Sequence, residues 1–243
     1  MNPARLRLAG LLLALTMGLG NPAHAQELLR VGTDATFPPF EYSEGGKRMG
    51  FDVDLIEAIA KVINRKVEWT EIDFKGLIPG LLAKRFDVAA SAIYITDERR
   101  KVVDFTDPYY PGGLVIMTAK GDKRIQGPED LNGKKVTVQV GTKSVGFLKD
   151  NFPGVERVEV EKNQEMFQLV EIGRADAAVT GKPAAKLYAR SRATLQVIDK
   201  QLTVEEYGYA IRKDDPELLK AFNEALKKLK ADGTYQQLVN KYL

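Results

Sequence analysis

One arginine stands where an anion would suit it. In Ser91-Ala-Ile-Tyr-Ile-Thr-Asp-Glu-Arg-Arg100 the chain leaves an apolar run, Phe86-Asp-Val-Ala-Ala90, that reads as a buried strand. Thr96 is a good N-cap, and Asp97 and Glu98 suit the first turn of a helix. Arg99 then falls at about the third helical position, where a cation opposes the helix dipole and an anionic ligand reverses that cost. A guanidinium fork beside free helix N–H groups holds a carboxylate with both donor sets fixed in advance. The same spacing also fits a surface pair between Arg99 and a neighbouring acid.

Three further stretches carry groups for a small ligand. In Thr33-Asp-Ala-Thr-Phe-Pro-Pro-Phe-Glu-Tyr42 two prolines forbid helix and leave a rigid loop after the strand Leu28–Gly32, at the strand end where open α/β sheets bind ligands. Asp34, Phe37 and Phe40 gather there, with Phe40 expected in the core. Phe74 opens a helix at another strand end, so Phe37 and Phe74 can face each other across a crevice and sandwich a ligand; each also fits plain packing. Gly141-Thr-Lys-Ser144 turns from a strand into a helix and presents N–H groups to an anion, although it lacks the spacing and ending of a P-loop. Asp52 or Asp54, in Gly50-Phe-Asp-Val-Asp54, serves the helix start rather than a ligand.

Composition removes whole classes of chemistry. There is no cysteine, and the one histidine, His24, lies in an N-terminal stretch that reads as a secretory leader. Arg5 and Arg7 form its positive region and Ala9–Leu19 its apolar core, too short to span a bilayer; Ala23-His24-Ala25 fits a cleavage site after Ala25. A retained anchor is the alternative reading, and without a cysteine after the apolar run a lipoprotein is excluded. The exported chain from Gln26 therefore has no thiol nucleophile, no Ser-His pair and no histidine metal ligand, and no metal or cofactor is expected. Losing Arg5 and Arg7 from 36 basic residues leaves 34 against 33 acidic ones, which offers no footprint for nucleic acid or anionic lipid.

The positioning elements alternate strand and helix twice. The helix after Gly50 carries Leu55, Ile56, Ile59, Ala60 and Ile63 at helical spacing. Thr106-Asp-Pro-Tyr-Tyr-Pro-Gly-Gly113 is rich in turn formers and reads as an interdomain connection. A second strand–helix series starts at Leu114, and Thr203–Tyr207 crosses back before a last strand and two terminal helices. The expected fold is thus α/β with two lobes: 26–108 plus 208–243, and 114–202, with hinge crossings at 109–113 and 203–207 and a cleft between them. Neither unit repeats the other at a fixed period.

Taken together, these stretches resemble the polar-amino-acid solute-binding proteins that serve bacterial ABC importers, whose fold is the type II periplasmic-binding-protein fold. The likeness rests on Val31–Tyr42, Gly50–Leu55, Ile95–Arg99, Val103–Tyr110 and Asp232-Gly-Thr-Tyr235. It implies a periplasmic, monomeric, non-enzymatic protein that binds a small ligand and delivers it to importer membrane subunits. It implies that Arg99 grips an α-carboxylate with backbone N–H groups near Thr142 and Lys143, and that Phe37 and Phe74 enclose the aliphatic stem. Groups at Ser91 and Ala92 would meet the ammonium, and Asp34 and Gln139 the side-chain end. Departures from the family pattern are Gly181 where an ammonium-binding Asp is usual, flanked by Thr180 and Lys182, Tyr94 where a Thr is usual, and Lys143 where a Thr or Gly often stands. Either Asp34 takes over the ammonium, or the ligand lacks one; Lys143, if turned inward, would favour a second anionic group, and Gly181→Asp is expected to raise affinity for ordinary amino acids. The resemblance extends to cyclohexadienyl dehydratase, an enzyme on the same fold, but its cleft acid would have to be Asp34. A receptor domain is the third reading; the chain carries no membrane or signalling module after Leu243.

Overall fold

The structure, a computed structural model, describes residues 26–243; the leader and its cleavage site after Ala25 lie outside the described residues. Two five-stranded sheets share one plan. The first runs in the order Arg65–Glu71, Glu27–Thr33, Val88–Ala89, Ala210–Arg212, Val103–Phe105. The second runs Glu156–Val160, Lys135–Gln139, Ala177–Gly181, Leu114–Ala119, Leu195–Ile198. In each, the first three strands are parallel and the fourth runs antiparallel to its sheet neighbour. Between the sheets the chain passes twice, and the passages pair as a short antiparallel ladder of Tyr110–Pro111 with Glu206–Tyr207.

Helices cover these sheets through the faces that their apolar spacing dictates. Phe51–Val62 buries Leu55, Ile56, Ile59 and Ala60, and Asn163–Glu171 buries Met166, Phe167 and Val170 against the second sheet. Each such aliphatic side chain contributes about 1.5–3 kcal/mol on burial, so Ile56→Ala is a change that would break the first of these interfaces. Around the crossings the core is aromatic: Tyr109 stacks on Tyr209 at 4.4 Å, and Phe40 meets Tyr207 edge-on at 5.1 Å.

Asp52 and Asp54 both lie in the first turn of the helix, as expected, but neither caps it. Gly50 precedes the helix and gives no side-chain cap. Asp52 is fully buried; its carboxylate accepts hydrogen bonds from the Ala92 N–H at 2.9 Å and the Tyr109 hydroxyl at 2.8 Å. It thereby fixes the Ser91–Ala92 bend, where Ala92 sits at φ 42°. A buried carboxylate needs such donors, and the bend needs an acceptor for its inward N–H. Asp54 accepts from Lys241 and Tyr242, each at 2.7 Å, and ties the helix Thr234–Tyr242 to Phe51–Val62.

Candidate functional site

A cavity of about 30 Å³ lies between the two sheets. Asp34, Phe37, Phe74, Ser91, Ala92 and Tyr94 line it from the first sheet, and Gln139, Thr142 and Thr180 from the second. Arg99 and Lys143 line an adjoining outer groove, which shares Phe74 and Thr142 with the cavity. All these groups lie on strand ends or the loops that leave them, where side chains from both sheets converge.

The cavity's far end is a chain of polar side chains that crosses between the lobes. Asp34 is 1 % exposed. Its Oδ2 accepts from Gln139 Nε2 at 2.7 Å and from the Phe74 N–H at 3.3 Å, while Oδ1 faces Lys162 Nζ at 3.3 Å. Burial pushes the Asp34 carboxyl up in pKa, against the ammonium and amide that favour its charge. Gln139 in turn accepts from Asn163 Nδ2 at 3.0 Å, and Asn163 reaches Thr36 at 3.3 Å. Asp34 and Gln139 thus bond directly to each other, which the sequence could not disclose across 105 positions.

Beside Asp34 sits a second acid. Ser91 Oγ accepts from the Asp34 N–H at 3.2 Å and donates to Glu41 Oε1 at 2.9 Å. Glu41 is 1 % exposed, lines the cavity, and has no hydrogen-bond donor on Oε2. Burial, reinforced by the neighbouring Asp52 carboxylate, holds its carboxyl well above the usual range. Burial likewise raises Asp52 to about 6, the donors at Ala92 and Tyr109 limiting the rise.

Arg99 is set by the helix start that its sequence predicts. Thr96 accepts the Arg99 N–H at 3.2 Å and caps the single-turn helix Asp97–Arg100. The guanidinium donates to Tyr94 O at 2.8 Å and to Gly141 O at 3.2 Å, so it touches both lobes, and it lies 5.6 Å from the Phe74 ring centroid. Burial lowers its pKa to about 10, which leaves it charged at neutral pH. The approach to Gly141 is close: at φ 77° a Cβ there would stand 2.8 Å from Lys75 Cα. Lys143 does not turn into the cavity; its ammonium meets Glu205 of the second crossing at 2.6 Å. An ionised acid at that distance holds the lysine away from the ligand space.

The departures at positions 94 and 181 compensate each other. Tyr94 donates to Gly113 O at 2.9 Å and accepts from the Tyr207 hydroxyl at 3.1 Å. The two phenols fill the space beside Gly181: a Cβ there would run into the Tyr207 hydroxyl and come within 3.3 Å of that of Tyr94. A phenol from the first lobe and one from the second crossing therefore require glycine at position 181.

Sequence reasoning passes over Glu41, Tyr207, Asn163 and Lys162. Glu41 directly follows the predicted loop aromatics, so its position is the available signal. Tyr207 reads only as part of a crossing. Asn163 and Lys162 have no local signal, since the ends of the strand Glu156–Val160 and the helix Asn163–Glu171 acquire meaning only when the lobes meet.

Residues 29–243 match the family of bacterial extracellular solute-binding proteins, family 3. ABC transporter arginine-binding protein 1 of Escherichia coli (strain K12) is 33% identical over 244 residues, covering 98% of this chain and 98% of that one. The solved structure of an ancestral arginine-binding protein bound to glutamine is 42% identical, with a TM-score of 0.86 over 90% of this chain and 99% of that one. The ancestral amino acid-binding protein AncCDT-1, a precursor of cyclohexadienyl dehydratase, is 45% identical, with a TM-score of 0.84 over 88% and 95%. The fold is accordingly the type II two-lobed one.

Proposed function

Because the chain belongs to the bacterial extracellular solute-binding proteins of family 3, we propose that it captures an amino acid between its lobes and delivers it to the membrane subunits of an ABC importer. The observation that carries this reading is a cavity whose walls come from both lobes and whose polar groups bond across the gap, Asp34 to Gln139 and Arg99 to Gly141 O. A ligand that touches both walls interacts better with the closed form and shifts the population towards it. Residues 26–108 with 208–243 and residues 114–202 are the two moving lobes, and the crossings 109–113 and 203–207 are the hinge. Arg99 leaves its carbonyl partners for the ligand carboxylate, while Phe37 and Phe74 enclose the stem. The leader in residues 1–25 supports export to the periplasm, where the protein works as a monomer without catalysis, as a carrier rather than a dehydratase. Both named relatives and the AncCDT-1 ancestor are binding proteins.

Position 181 favours a second reading, an amino-acid-derived acid without an α-ammonium, because no carboxylate stands there and none fits beside Tyr207. Thermal shift followed by calorimetry across the standard L-amino acids, their 2-oxo and N-acyl relatives and small dicarboxylates tests both. Tight binding of an L-amino acid is the expected result. Binding confined to the 2-oxo or N-acyl compounds selects the second reading, and conversion of prephenate or arogenate to an aromatic product would overturn both.

A further inference from the structure

Lys162 holds the Asp34 carboxylate from the second lobe. A buried carboxylate at the end of an amino-acid cavity attracts a guanidinium or ammonium group. Asp34 is that carboxylate, yet both its oxygens are engaged: Oδ1 with the Lys162 ammonium at 3.3 Å, Oδ2 with the Gln139 amide and the Phe74 N–H. Lys162 is anchored from the other side by Asp73 at 2.8 Å. Burial works against the ammonium, but the two acids outweigh it and raise its pKa, so it is charged. What remains exposed to a ligand around Asp34 is the Glu41 carboxyl, held well above the usual range by burial, and neutral groups: the Gln139 and Asn163 amides and the hydroxyls of Thr142, Ser144 and Thr180.

We propose that Lys162 sets the charge selectivity of the cleft, holding the cationic place on Asp34 so that the cavity closes on an amino acid with an uncharged polar side chain and not on one with a guanidinium or ammonium side chain. The inference rests on the amino-acid reading above and narrows it. Lys162 belongs to the second lobe and Asp34 to the first, so the pair forms only on closure. A cationic side chain can enter the open cleft, but closing then brings the lysine against it beside the buried Asp34 carboxylate, where like charges repel. Only the difference in affinity between open and closed forms drives closure, and the lysine removes that difference for cationic ligands. Lys75, paired with Glu161 across the same gap, leaves no second cation to take over on Asp34 among the described residues that contact it.

Calorimetry on the full mature protein tests this, with L-glutamine, L-asparagine and L-serine as neutral probes and L-arginine, L-lysine and L-ornithine as cationic ones. The best neutral probe should bind wild type at least about tenfold tighter than any cationic one, since a charged group is worth about 1.5–3 kcal/mol. Lys162→Gln, which keeps a hydrogen bond to Asp34 and removes the charge, should shift that ratio about ten- to hundredfold towards the cationic probes. Lys162→Arg should restore the wild-type ratio, which a role confined to stability would not require. Preference of wild type for L-arginine or L-lysine, or an unchanged ratio in Lys162→Gln, overturns the proposal. If no standard L-amino acid binds wild type, the amino-acid reading itself fails and takes this one with it.

Discussion

The Tyr207 hydroxyl donates to that of Tyr94 at 3.1 Å, and the pair occupies the space that a side chain at position 181 would need. One phenol comes from the second crossing and the other from the loop before Arg99, so both hinge and clamp reach the same wall of the cavity.

This geometry reverses the effect expected from sequence for Gly181→Asp. The added carboxylate overpacks a filled site, and overpacking costs about 1–3 kcal/mol. Thermal unfolding should show a lower midpoint and calorimetry weaker, not stronger, binding. Adding Tyr207→Phe removes the obstructing oxygen and should recover most of the lost stability; no recovery would mean the clash lies elsewhere.

Arg99→Ala should leave the circular dichroism spectrum unchanged and weaken binding of a carboxylate ligand by about tenfold to more than a hundredfold, the loss of a charged hydrogen-bonding pair. Lysine at this position keeps the charge without the fork and should restore little. Affinity unchanged in Arg99→Ala would remove the guanidinium from the ligand site.

Glu41 and Asp52 make stability fall as pH rises. Both carboxyls are raised in the folded protein, chiefly by burial, so above the unfolded values, and up to about pH 6 for Asp52, the folded state holds protons that the unfolded chain has released. Above the unfolded values each group therefore opposes folding, and below them the penalty vanishes. Each tenfold difference in proton affinity between the folded and unfolded states is worth about 1.4 kcal/mol. Glu41→Gln keeps the Ser91 bond and removes one charge. It should gain stability over wild type at pH 7.5, with the gain shrinking towards pH 4. A gain independent of pH would contradict the assignment.

Lys143→Ala breaks a pair with Glu205 in which both side chains are about a quarter exposed. A half-screened pair of this kind is worth about 1 kcal/mol or less. Affinity should change by less than about tenfold, whereas a lysine that contacted the ligand's charge would cost more; titration calorimetry separates the two.

Much of this site is legible in the sequence because its signals are local. Thr96 and the two acids after it mark a helix start that does position Arg99, and the prolines after Phe37 mark a loop that does line the cavity. What stays hidden depends on which distant residues meet. Asp52 carries an N-terminal helical signature, yet its partners lie 40, 57 and 157 positions away. Lys143 carries the signature of an anion site, and only the return of the chain at Glu205 turns it aside. Nothing adjacent to Lys162 in sequence reveals that it closes on Asp34. The exchange of glycine and tyrosine between positions 181 and 94 looks like two separate departures, although one volume explains both.

The order of strands in the first sheet has a consequence for biogenesis. Ala210–Arg212 lies between Val88–Ala89 and Val103–Phe105. A ribosome or export channel releases it only after the whole of the second sheet. Until then Val103–Phe105 has no neighbour on which to pair, and the N-terminal half waits with an open seam while the later-made half is already complete. The segment that finishes the older unit is among the last to emerge, so truncation near the C-terminus strikes the part of the molecule that was made first.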